Sequence, residues 1–139
     1  MKEASFSLKR YNFPLVKLNL SMLKDRQVHF NLKIIPEGQF SKTEQIFVLR
    51  FRFFAFLDGD EENPCVEITC EGMYAFKDVD SIDNIPPYFY ANSIAILFPY
   101  VRAFISTVTL QANYMPIVLP TMNLSDLSTT LKERTEVVE

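Results

Sequence analysis

The sequence predicts an α+β domain in which an antiparallel sheet comes first and helices follow. Three observations carry this. The first half alternates apolar and polar residues at the two-residue period of strands. After Ile85-Pro86-Pro87 the apolar period changes to helical spacing. An apolar piece bracketed by Pro116 and Pro120 then leads into a last helical stripe. Strands grouped before helices mark a segregated architecture rather than alternating βαβ units.

Each element has its own justification. Residues 13–20 end in alternation, with Val16, Leu18 and Leu20 on one side and Lys17 and Asn19 on the other. Residues 28–34 repeat the pattern: Val28, Phe30, Leu32 and Ile34 face one way, His29, Asn31 and Lys33 the other. Pro36-Glu37-Gly38 then breaks the run. Residues 45–57 form the strongest strand. Its odd positions, Phe47, Leu49, Phe51, Phe53, Ala55 and Leu57, are all apolar and are expected to face the core. Its even positions set Ile46, Val48, Phe54 and Phe56 around Arg50 and Arg52, where a half-exposed strand would be polar. That second face is expected to be covered by another chain or by the N-terminal segment.

The acidic connection Asp58-Gly59-Asp60-Glu61-Glu62-Asn63-Pro64 suits a loose hairpin loop. In residues 65–76, Val66, Ile68, Cys70, Tyr74 and Phe76 are expected inward, and Cys65, Glu67, Thr69 and Glu71 outward. Gly72 suits a bulge or a close backbone approach. Ile94, Phe98, Val101, Ile105 and Val108 recur at helical spacing and predict a helix over 89–111. Pro99 would remove an interior hydrogen bond, so a kink or a fresh start is expected there. Asn123 can cap a last helix, with Asp126 in its first turn and Leu124, Leu127 and Leu131 as its apolar stripe. Residues 136–139 read as a frayed end.

The 139 residues allow one domain with a usable core, read here as 1–139. A formal net charge of -3 argues against a nucleic-acid binder, which would show a basic face. With 48% hydrophobic residues the chain is not disordered. The 13 Phe and 6 Tyr are more large apolar surface than one small core readily takes in. The first residues lead into no long apolar stretch, and no run of spanning length is expected elsewhere. Cys65 and Cys70 fall on one strand roughly 16 Å apart and on opposite faces, too far to bridge. Reduced thiols without an export signal point to the cytoplasm.

Candidate chemistry is sparse. His29, the single histidine, reads as a surface or interface residue. Cys65 and Cys70 lack Cys-x-x-Cys spacing, and the 58–63 cluster lacks the ligand order of a calcium loop. No P-loop, dinucleotide fingerprint or nucleophile elbow is present. An enzyme, a metal site and a cofactor are therefore not expected. What remains is apolar surface: Phe54, Phe56, Phe89, Tyr90, Tyr100 and Phe104 are candidates for a groove that binds extended peptide.

One stretch adds a resemblance. Ile94-Ala95-Ile96-Leu97-Phe98-Pro99-Tyr100-Val101-Arg102, followed by Ile117-Val118-Leu119-Pro120-Thr121-Met122-Asn123-Leu124, resembles the SecB family of export chaperones. More loosely, Val66-Glu67-Ile68-Thr69-Cys70-Glu71-Gly72-Met73-Tyr74 looks like the family's strand with a Glu five residues before a Gly. The resemblance implies a four-stranded antiparallel sheet followed by two helices, assembled as a homotetramer, a dimer of dimers. It implies an ATP-independent holdase that keeps unfolded precursor proteins in hydrophobic grooves and passes them to the SecA motor. Phe98, Tyr100 and Arg102 fall on the family's helix segment, with Phe98 expected partly in the core. Glu67 falls where the family presents an acidic residue to SecA, and Glu71 extends that patch.

Lys9-Arg10-Tyr11-Asn12-Phe13 lacks the acidic residues that family members add to the SecA-facing patch. A second reading is thus a SecB-like chaperone dedicated to the antitoxin of a toxin–antitoxin module. A third is an oligomeric structural or ligand-binding domain whose aromatics are all buried.

Overall fold

The computed structural model describes residues 6–23, 30–119 and 123–139. Strands β1 (Phe6–Leu18), β2 (Phe30–Ser41), β3 (Ile46–Leu57) and β4 (Val66–Phe76) precede helices α1 (Phe89–Gln111) and α2 (Leu127–Glu133). A short strand β5 (Thr135–Val138) ends the chain. The sheet runs in the order β1-β4-β3-β2-β5. Its first four strands are antiparallel neighbours, and β5 lies parallel to β2. The α+β class stands, but the expected four-stranded antiparallel sheet is a five-stranded mixed one.

The extra strand has a local cause. The Thr135 hydroxyl donates to the Leu131 carbonyl at 2.6 Å, closing off α2. The Gly38 N–H then donates to the Arg134 carbonyl at 3.1 Å, which docks the last residues on β2. Residues 136–139, expected to fray, thus cover the end of a sheet edge. The same geometry explains why Pro36 does not break β2. Donors alternate sides along a strand, so Pro36 points the same way as Gly38, toward the edge. β5 pairs only with 38–41, so no ladder bond is asked of Pro36 there.

The odd side of β3 behaves as expected: Phe47, Leu49, Phe51, Phe53 and Ala55 are fully buried. Helix α1 covers this face, with Phe98 near Phe51 and Phe89 near Phe47. The Tyr74 hydroxyl donates to the Ser93 carbonyl at 2.6 Å, tying β4 to the helix through the core. Cys65 corrects the sequence reading. It precedes β4 and is buried, its N–H donating to the Ala55 carbonyl at 2.9 Å and its thiol facing the same oxygen. Both thiols are free and buried.

α1 runs as one helix through Pro99. Pro99 and Ala95 are both exposed, so the carbonyl that the proline leaves without a partner lies on the open side. The helix is long and apolar enough to cross a membrane by length and composition, contrary to the expectation that no such run exists. Nine of its residues, from Phe89 to Thr109, are buried in the domain. α2 begins at Leu127, later than expected; Asn123 holds the preceding turn, its side-chain oxygen accepting from the Ser125 N–H. His29 and the 120–122 piece lie outside the described residues.

Candidate functional site

The sheet order puts β1 at an edge, beside the flank of α1. Its pairing with β4 slips twice, between Leu8 and Arg10 and between Asn12 and Leu15. Each bulge turns the strand and re-aims its side chains. Tyr11 then lies opposite Gly72, on the face that carries α1. A side chain at 72 would meet Leu97 at 3.0 Å, so glycine lets β4 and α1 approach. The Tyr11 and Tyr100 ring centroids are 4.3 Å apart. Phe13 stacks on Phe104 at 4.1 Å, their planes 13° apart.

The result is a ribbon of four rings shared by an edge strand and a helix. Tyr11 and Tyr100 remain 42% and 41% exposed, while Phe13 and Phe104 are half-buried. Beside them lies an open hollow of about 330 Å³, lined by Leu8, Lys9, Arg10, Tyr11 and Tyr100. Such a surface offers apolar area with phenolic hydroxyls at its wet rim. Of the aromatics singled out from the sequence, Tyr100 and Phe104 lie in this ribbon, beside Tyr11 and Phe13, which were not singled out.

The other predicted aromatics go elsewhere. Phe89 and Tyr90 are core residues, 0% and 3% exposed. The Phe89 ring lies within 4.8 Å of Phe6, Phe47 and Phe76, so no peptide reaches it in this conformation. Phe54 and Phe56 sit on the opposite side of the sheet, their rings 6.3 Å apart and nearly parallel. The Arg52 guanidinium lies 5.4 Å over Phe54.

That opposite face also holds both candidate acids. Glu67 lies in register between Lys17 on β1 and Phe54 on β3. Glu71 makes an ion pair with Arg50 at 3.6 Å, and Glu37 does the same with Arg52. Glu67 and Glu71 therefore share a face, as expected, but each stands against a cation. β1 is a member of the sheet, so its residues 6–18 do not lie across this face as the sequence led one to expect of the N-terminal segment.

A strap after α1 forms the helix's outer border. The Thr109 hydroxyl accepts from the Ile117 N–H at 2.9 Å and donates toward the Ile105 carbonyl, while Ser106 donates to the Ile117 carbonyl at 2.8 Å. Ile117 and Leu119 are buried by this docking and Val118 points out. Burial pushes the Cys70 thiol up to about 12, with Glu71 adding to the shift, and raises Cys65 and Tyr90 as well. These groups stay protonated and do no acid–base work near neutrality.

The fold is two-layered, a mixed sheet under a long helix, with a half-exposed aromatic ribbon where the edge strand meets that helix. The family model described as preprotein translocase subunit SecB matches residues 14–134. The chain belongs to the SecB family. An uncharacterised protein of Methanocaldococcus jannaschii is 34% identical over 113 residues, 79% of this chain and 72% of that protein. The protein-export protein SecB of Magnetococcus marinus is 39% identical over 61 residues, 44% of this chain. That of Zymomonas mobilis is 32% identical over 62 residues, 45% of this chain. These matches span only 38% and 37% of the two SecB proteins. A SecB-like chaperone of Mycobacterium tuberculosis, solved in complex with a peptide from the HigA1 antitoxin, superposes with a TM-score of 0.70. It shares 12% identity, over 86% of this chain and 91% of that one.

Proposed function

We propose that this protein is an ATP-independent holdase of the cytoplasm that binds unfolded precursor proteins as extended segments. The Tyr11–Phe13–Tyr100–Phe104 ribbon carries the reading, because it leaves aromatic area open beside an edge strand. Aromatic rings give large contact area at low entropic cost and little sequence selectivity, which suits a client that is any unfolded chain. The test is refolding of a slow-folding secretory precursor without nucleotide. Stoichiometric protein should delay refolding and suppress aggregation; unchanged kinetics would overturn the reading.

Assembly as a dimer of dimers belongs to the same proposal. α1 has Arg102 as its one charged residue, and its outward side exposes Ala95, Ile96, Ala103 and Leu110. A helix apolar on all sides is stable when both sides are covered. Sedimentation at micromolar concentration should give a homotetramer, and a monomer would remove this part. Delivery to SecA is the finer step, motivated by Glu67 on the open sheet face. Glu67→Lys should weaken SecA binding and spare client holding; equal SecA affinity would take Glu67 out of that role.

A second reading keeps the holdase chemistry and narrows the client to an antitoxin. It is favoured by the absence of Asp and Glu from β1 and by the antitoxin peptide bound to the mycobacterial protein. Genes for a toxin and an antitoxin beside this one would support it, and their absence would count against it.

A further inference from the structure

We infer that a second copy docks on the outward side of α1, with Arg102 of each copy donating to the Ala95 carbonyl of the other. The inference rests on the assembly reading and names the contact that fixes its geometry. Arg102 is the one charged residue between Asp83 and Asp126. It is half-buried on a helix without a carboxylate. Among the described residues its side chain makes no ion pair and no hydrogen bond. A guanidinium carries five donors, and covering it without acceptors is costly.

The missing acceptor lies on the same stripe. Pro99 has no N–H, so the Ala95 carbonyl has lost its donor within the helix, and both residues are exposed. Ala95 and Arg102 are two turns apart, which stacks them on one side of α1 at about 10 Å along its axis. An open hollow of about 270 Å³ beside the strap marks that side, with Pro99, Arg102, Ala103 and Val118 in its lining. Ala95, Pro99 and Ala103 recur every fourth residue and form a low ridge, so a second helix can come close. Running antiparallel about a two-fold axis beside Pro99, that helix sets each Arg102 opposite the other copy's Ala95, and both contacts form together. An unrelated acidic partner would satisfy Arg102 but cover the carbonyl without a donor. The stripe is complementary to itself, which selects a second copy.

The test is sedimentation of the full-length protein in a double-mutant cycle of Arg102→Met and Pro99→Ala. Methionine keeps much of the stem and removes the donors, while alanine gives the Ala95 carbonyl its helical donor back. Each single variant should weaken association about tenfold or more, and the double variant should lose little beyond either one. Arg102→Lys, which keeps a charged donor, should recover part of the affinity. Pro99→Ala should melt no lower than the unaltered chain when both are dilute enough to be dissociated, since it mends the helix. Lys33→Met, on the sheet, should leave association as it is. Unchanged association in either single variant, or losses that simply add in the double variant, would overturn the inference and leave the assembly reading intact. Unaltered protein that stays a monomer would overturn both.

Discussion

Phe13 and Phe104 lie ring on ring, 4.1 Å between centroids, and this contact, beside that of Tyr11 with Tyr100, joins the edge strand to the helix. β1 also meets the domain through its ladder with β4, which its two bulges interrupt, and through Phe6 against Phe89. The stacked pair therefore serves two ends at once: it seats β1 against α1 and forms the floor on which Tyr11 and Tyr100 sit.

Replacing either ring tests that double role. Phe104→Ala should cost about 1–3 kcal/mol, less than a fully buried phenylalanine because this ring is half-exposed. A double-mutant cycle with Phe13→Ala should return a coupling of about 0.5–1.5 kcal/mol from denaturant unfolding. Tyr100→Ala should leave stability nearly unchanged and weaken client capture several-fold. Coupling near zero would mean that the rings touch without supporting each other.

Gly38 and Gly72 should differ sharply when each is changed to alanine. A side chain at 38 would run into the Phe47 ring and the Thr135 hydroxyl at 2.8 Å, at the point where β5 docks. Phe47 is fully buried and cannot step aside. At 72 the new methyl would meet the Leu97 methyls at 3.0 and 3.3 Å, ends of a flexible side chain. Gly38→Ala should therefore cost about 3 kcal/mol or more and Gly72→Ala about 1 kcal/mol. Equal melting temperatures for the two variants would contradict this packing.

How far the sequence reveals the fold depends on how strictly each element keeps its period. β3, β4 and α1 were legible because Phe47 to Ala55 alternate without a slip and Ile94 to Ile105 keep helical spacing. β1 was legible only in its second half. Its inward residues Phe6, Leu8, Tyr11, Phe13, Val16 and Leu18 are spaced two, three, two, three and two, since each bulge inserts a residue and breaks the alternation. That is why the sequence did not place Tyr11 and Phe13 beside Tyr100 and Phe104. β5 has too few residues to show a period, and its place is set by the end of α2 rather than by its own pattern. Phe89 and Tyr90 resemble groove residues by type alone; their burial follows from the packing of Phe6, Phe47 and Phe76 around them.

Thr109→Val separates shape from hydrogen bonding in the strap after α1. The substitution keeps the volume but leaves the buried Ile117 N–H without its acceptor. The expected loss is about 1–3 kcal/mol, the cost of an unsatisfied buried donor. Thr109→Ser keeps the hydroxyl and should lose less. Hydrogen exchange at the Ile117 amide should speed up in the valine variant; unchanged protection would show that the strap is held by Ile117 and Leu119 packing alone.

Alkaline stability follows from two buried groups in β4. Burial raises the Cys70 thiol from 9.0 to about 12, and raises Tyr74 above its ordinary 10.0, with Cys70 and Tyr100 adding to the shift. Both are neutral when protonated, so a raised value means the folded protein holds the proton more tightly than the unfolded chain. The contribution is complete below about pH 9, where both states are protonated. It falls between about 9 and 12, where the unfolded chain releases protons that the fold retains. Urea midpoints measured under reducing conditions should therefore be flat from about pH 7 to 8.5 and drop steadily toward about pH 11. Cys70→Ala should make that drop shallower while Tyr74 keeps part of it. A midpoint that does not move across this range would mean that these groups ionise as easily in the folded protein as in the unfolded chain.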